Sequence, residues 1–198
     1  MKNSFILIFF LFSFYNVSSH AENLQIDAKN IVLDNINNKT IFKNDVKIVT
    51  DDQNKITADY VEYNKKTGFL ILKNNIVAKD NLNNLIKTNY AEYDEKKRTF
   101  KSKGTTAIIT TEKYLINTKD VILNNENKII SSENETIIED PDGNLVSLEN
   151  FEYSAQNNIF KSVGNIKIND EKGNAYQFSQ IYIDTEKKEI LGTDIKAF

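Results

Sequence analysis

From Leu24 onward, apolar and polar side chains alternate, and the alternation itself repeats every 30 residues. Ile31, Val61, Ala91, Val121, Phe151 and Ile181 form one apolar column, and Leu33, Tyr63, Tyr93, Leu123, Tyr153 and Ile183 a second. A third holds Ile26, Ile56, Ile86, Ile116, Val146 and Tyr176. Asp34, Asn64, Asp94, Asn124, Ser154 and Asp184 close each run with a small polar residue. Several columns in fixed phase without an insertion mark a repeated structural unit. The clearest copies are Asp59-Tyr60-Val61-Glu62-Tyr63-Asn64 and Asn89-Tyr90-Ala91-Glu92-Tyr93-Asp94.

Each unit has a finer beat of half that length. Ile48, Ala78, Ile108, Ile138, Ile168 and Phe198 fall midway between members of the Leu33 column. Around them Thr40, Phe42, Val46 and Ile48 share one parity, and Lys43, Asp45 and Lys47 the other. A period of two places alternate side chains on opposite faces of a strand, so each unit reads as two strands joined by a polar turn. In the first strand the apolar parity switches from Ile26 and Ala28 to Ile31 and Leu33, which predicts a bulge or bend near Lys29-Asn30.

Another column reads Asn44, Asn74, Gly104, Asn134, Gly164 and Asp194. Glycine within a strand marks a bend or a close approach. Either the strand folds there so that two faces can pack, or small residues such as Ser102, Gly104 and Thr106 wall a groove. The turns Lys65-Lys66-Thr67-Gly68, Glu95-Lys96-Lys97-Arg98 and Glu186-Lys187-Lys188 are basic and in phase. They read as solvated turns, with a phosphate-binding stripe as the rival.

Composition narrows the function. Residues 1–21 carry Lys2, the apolar run Phe5 to Tyr15 and Ser19-His20-Ala21, the pattern of a cleaved secretory signal peptide. That run is shorter than the roughly 20 apolar residues of a spanning helix. The domain is then 22–198, exported, with no cysteine for disulfides or lipidation. A net charge of −3 and pI of 5.4 argue against a nucleic-acid partner. One proline and six glycines leave chain reversal to Asn, Asp and Lys. Asp140-Pro141-Asp142-Gly143 suits a type I turn, and the ligand spacing of a calcium loop does not follow. His20 is the sole histidine; no nucleophile–base set, metal cluster or phosphate loop is present, so neither an enzyme nor a cofactor is expected.

The repeat, a D-x-V-x-Y-N/D strand, a polar turn, then Gly/Asn before Φ-x-Φ, resembles the OstA-like lipopolysaccharide-transport domain. Asp59 to Asn64 with Asn74-Asn75-Ile76-Val77-Ala78 carry the resemblance best, Asn89 to Ile108 nearly as well, and Leu148 to Ile168 recognisably. It implies an all-β, open twisted β-jellyroll of two-strand repeats, whose facing sheets cover lipid acyl chains while the sugars stay outside. The implied partners are lipopolysaccharide, other jellyrolls of the transport bridge stacked edge to edge, and an outer-membrane barrel or lipoprotein. The implied location is the periplasm, at the outer membrane. Ile26, Ile56, Ile86 and Ile116 are expected on one wall of the lipid groove. Phe100, Ile108, Ile138, Phe160 and Ile168 are expected on the opposite wall or floor.

Within the family, a free LptA-like bridge protein fits the length. The apolar ending Gly192 to Phe198 resembles an LptD-like translocon more, and the N-terminal jellyroll of such a translocon is the expectation. A structural β-solenoid or adhesin-like module with a dry core is the alternative. A sugar-binding or sugar-cleaving β-helix lacks its aromatic or acidic cluster.

Overall fold

The computed structural model describes residues 24–197; residues 1–23, where the signal peptide is expected, and Phe198 lie outside them. Every regular element among the described residues is a strand. The first unit holds β1 (Gln25–Asp27), β2 (Asn30–Asp34) and β3 (Lys39–Val49), the second β4 (Lys55–Asn64) and β5 (Phe69–Lys79). The third holds β6 (Leu85–Asp94), β7 (Thr99–Ser102) and β8 (Thr105–Ile109). The fourth comprises β9 (Leu115–Lys119), β10 (Ile122–Asn124), β11 (Ile129–Ser132) and β12 (Thr136–Glu139). The fifth has β13 (Leu145–Leu148), β14 (Phe151–Ser154) and β15 (Ile159–Asn169), the sixth β16 (Ala175–Asp184), β17 (Glu189–Thr193) and β18 (Lys196–Ala197).

Each unit is two long legs, some continuous and some broken in the middle, and every leg pairs antiparallel with the next in sequence. The same meander runs through the second half of the chain. The middle of each leg is a corner. There the register shifts between Lys43 and Val46, between Lys73 and Ile76, and between Val163 and Ile166. First legs place two residues between their inward side chains at the corner (Ala58 to Val61), and second legs three (Leu72 to Ile76). In register, Asn74 and Asn75 stand against Asn89 alone, the two-against-one count of a β-bulge, which bends the strand. The predicted bend in the first leg is the break at residues 28–29, where Lys29 N donates to Asn44 O (3.1 Å).

The corner explains the small-residue column. Asn44, Asn74, Gly104, Gly164 and Asp194 have φ between 56° and 124°, the left-handed region that Gly, Asn and Asp tolerate best. The fourth unit departs: its leg breaks at residues 133–135, where Ser132 Oγ accepts from Asn134 N (3.1 Å). The bend alone requires this column of small residues.

Folding every leg at its corner produces two walls of one jellyroll, with the corners as a shared spine. Wall one holds the inner row Ile48, Ile56, Ala78, Ile86, Ile108, Ile116, Ile138, Val146 and Ile168; wall two holds Tyr63, Leu70, Tyr93, Phe100, Leu123, Ile130, Tyr153, Phe160 and Ile183. Nearly all of these are buried.

Turns stack at the wall ends with the same period. Residues 38, 68, 98, 128, 158 and 188 all have positive φ, as do 53, 83, 113, 143 and 173. Most of these are Asn, Lys, Arg or Gln, so polar residues do reverse the chain. Side chains then tie one turn to the next. Asn54 Oδ1 accepts from Asn81 N (3.0 Å), Asn84 Oδ1 from Thr111 N (3.1 Å) and Asn144 Oδ1 from Glu171 N (3.1 Å). The one gap in this ladder is self-consistent. Its acceptor position holds Tyr114, and its donor position holds Pro141, which has no N–H. Asp140 to Gly143 is indeed a turn, closed by Gly143 N donating to Asp140 O (3.1 Å).

Candidate functional site

The candidate site is the space between the walls, together with the line where the walls meet opposite the spine. Antiparallel pairing decides which columns share a wall. Ile86 stands opposite Ile108 in register, Ile116 opposite both Ile108 and Ile138, and Val146 opposite Ile168. Ile108, Ile138 and Ile168 therefore stand in the same inner row of wall one as Ile56, Ile86 and Ile116, and do not face them. Half a repeat along the sequence leads to the next leg of the same wall, because the chain returns at each hairpin. Phe100 and Phe160 do lie on wall two, paired with Tyr93 and Tyr153. Ile26 pairs with Ile48 at the first edge and is partly buried.

The interior is packed. Phe160 stacks on Tyr153 (4.3 Å, 21°) and also meets Phe151 (5.9 Å) and Tyr114 (6.2 Å), the last arising from wall one. The inward void lined by Ile56, Ala78, Tyr93, Phe100 and Leu123 is only ≈ 10 Å³, about one water. The larger recesses lie on outer faces: ≈ 620 Å³ over Asn117, Ile137, Ser147 and Lys167, and ≈ 330 and 400 Å³ on either side of Phe69. At the spine of units three and four the core turns polar. Thr88, Ser102, Thr106, Thr118, Ser132 and Thr136 are buried and bonded to one another, for example Thr136 Oγ1 to Thr118 Oγ1 (2.8 Å).

The seam differs from the spine in kind. Backbone is continuous across the spine, whereas side chains join the walls at the seam. Arg98 pairs with Asp52 and approaches Asp51 (3.9 Å), and Lys188 pairs with Asp142 (2.8 Å). Asn54 Nδ2 donates to Asn125 Oδ1 (3.0 Å), and the Tyr153 hydroxyl donates to Glu112 (3.1 Å). Burial first, then the Glu112 charge, pushes the Tyr153 phenol well above its ordinary pKa. Burial, followed by Asp140 and Asp142, pushes Tyr114 up to about 12. The basic turn residues Arg98 and Lys188 are thus seam contacts, a role the sequence could not reveal because their partners lie 46 positions away.

Among the described residues, β2 pairs only with β3 and β17 only with β16. Ile31 and Leu33 on β2 are 57% and 68% exposed, and Ile190 and Leu191 on β17 are 45% and 72% exposed. Among the described residues no helix is long and apolar enough to cross a membrane, and no His/Cys/Asp/Glu group is arranged to hold a metal.

Residues 25–142 match the family described as LptA/(LptD N-terminal domain) LPS transport protein. The chain belongs to that family. Its all-β jellyroll of two-strand repeats is the fold expected from the resemblance, and lipopolysaccharide transport is the family's function. Two solved structures are more distant. LptH of Pseudomonas aeruginosa, the LptA-homologous periplasmic component of a lipopolysaccharide transport device, is 12% identical with a TM-score of 0.27. The match covers 89% of this chain and 94% of that one. The TCP10 domain of Danio rerio CPAP, solved with a STIL peptide, is 12% identical with a TM-score of 0.16, covering 77% and 97%. Neither superposition adds to the family match. No curated protein matches the sequence.

Proposed function

We propose that this family member is a non-enzymatic periplasmic carrier that covers the acyl chains of lipopolysaccharide between its two walls. One observation carries the reading: two apolar walls run from edge to edge, held by backbone at the spine and by side chains alone at the seam. Each exposed methylene costs about 0.8 kcal/mol, so an acyl chain of about twelve carbons costs about 10 kcal/mol in water. An exposed ion pair such as Lys188–Asp142 contributes about 0–1 kcal/mol, whereas the spine is covalent backbone, so the seam is the cheaper side to part. Acyl chains then replace the wall-to-wall contacts of the empty state.

The open edges at β2 and β17 suit strand addition by neighbouring jellyrolls of a bridge. Of the two family forms, the N-terminal jellyroll of an LptD-like translocon is preferred to a free LptA-like bridge. A reading frame running past codon 198 into alternating ten-residue strands carries that form, and a stop codon carries the other.

A dry structural module is the second reading, favoured by the packed interior. A photo-crosslinking residue at Ile86 or Ile138 separates the two. In cells the inward positions capture lipopolysaccharide and the outward Lys47 and Lys167 do not; equal labelling inside and outside gives the structural reading.

A further inference from the structure

The seam leaves one cation without an answering acceptor. Arg98 meets Asp52 and Lys188 meets Asp142 at the same offset of 46 residues. At that offset from Asn158 stands Glu112, joined to it through the Tyr153 hydroxyl. At that offset from Lys128 stands Leu82, an apolar residue packed against the core. Lys128 Nζ is covered and has no hydrogen-bond partner, and the same holds for Arg98 Nε on the preceding turn.

Nearby carboxylates do not fill the gap. Asp80 acts on Lys128 through its charge, yet it accepts no hydrogen bond from Nζ; the donors it meets belong to its own turn. Oδ1 accepts from Leu82 N (2.9 Å) and Asn84 N (2.8 Å), and Oδ2 from Asn84 Nδ2 (2.8 Å). Asp52 is held on Arg98 through Oδ1, and its Oδ2 is itself covered and unpaired. Burial lowers the Lys128 pKa, Asp80 opposes this and Arg98 adds to it, so the Asp80 charge does not offset the burial of the ammonium.

We propose that Lys128 and Arg98 form an anion site on the seam that takes a phosphate or other acidic group from the head of the carried amphiphile. The proposal rests on the carrier reading. With chains between the walls, the head lies where the walls part, beside Leu82 and Lys128. An anionic oxygen there supplies the charge-assisted hydrogen bonds that the protein does not. Two donors on successive turns suit an anion with several oxygens.

The test compares dodecyl phosphate with dodecyl maltoside, which share a chain and differ in charge, on the wild-type protein and on Lys128→Met. The wild type should prefer the phosphate by about tenfold, and Lys128→Met should remove that preference without weakening maltoside binding. Its melting temperature without ligand should not fall, because an unpartnered ammonium has been removed. An unchanged preference in Lys128→Met overturns the site and leaves the carrier reading intact. If neither amphiphile binds, the carrier reading fails, and inorganic phosphate decides the site. Thermal stabilisation by phosphate in the wild type but not in Lys128→Met supports it, and equal behaviour overturns it.

Discussion

Arg98 and Asp52 are 46 residues apart and meet across the seam, and Lys188 and Asp142 repeat the contact three units later. The same two positions of the repeat therefore face each other along the roll, and the seam has a register as definite as that of a strand pair. That register makes the unmatched Lys128 recognisable.

Holding the seam shut should stop lipid loading. The protein has no cysteine, so Asp142→Cys with Lys188→Cys introduces a unique pair that a short bis-maleimide can join. The joined protein should lose lipopolysaccharide uptake, and the unjoined double variant should retain it. Uptake by the joined form would mean that chains enter by the open ends alone.

The asparagine ladder should matter where it is complete. Asn84 is buried, donates to Asp80 and accepts from Thr111 N. Asn84→Ala removes the buried donor to Asp80 Oδ2 and the acceptor of Thr111 N, and should cost about 1–3 kcal/mol in urea unfolding. Pro141→Ala, at the gap opposite Tyr114, should cost less than about 1 kcal/mol. Equal losses would remove the ladder as a stabilising element.

Backbone demand at turns and corners predicts opposite effects for two exposed positions. Lys113 has φ 71°, so Lys113→Gly should stabilise by about 0.5–1 kcal/mol. Gly104 has φ 81° with open space where a Cβ would lie, so Gly104→Ala should cost about 1 kcal/mol through the backbone alone. Chemical denaturation of both variants checks the pair.

Alkaline pH should open the protein through its buried phenols. Tyr114 ionises near 12 when folded, against an ordinary value of 10, and Tyr153 is also raised. The folded state then keeps protons that the unfolded chain releases. This stability is complete below about pH 10 and is lost as pH rises through the folded pKa, by up to about 1.4 kcal/mol per pH unit for each phenol. Phenolate absorbance and circular dichroism should change together; phenolate appearing near pH 10 without unfolding would contradict it.

Edge association should depend on β2. Leu33 is 68% exposed and contributes little to the core, so Leu33→Lys should leave the melting temperature nearly unchanged. It should shift the association seen by ultracentrifugation to higher protein concentration. Unchanged association would place the contact elsewhere.

The sequence by itself determined what is local. A period of two fixed the inward parity of Phe42, Val46 and Ile48, and a left-handed corner accepts Asn44, Gly104 or Asp194 whatever surrounds it. The thirty-residue repeat and its family followed from those columns. Tertiary structure alone decided what faces what. Ile108, Ile138 and Ile168 join wall one because antiparallel hairpins return each leg beside its predecessor. Side-chain packing between the walls closes the interior, a matter of volumes summed over many residues. Arg98 finds Asp52, and Lys188 finds Asp142, only because both walls bend about one spine and bring two distant stacks of turns together.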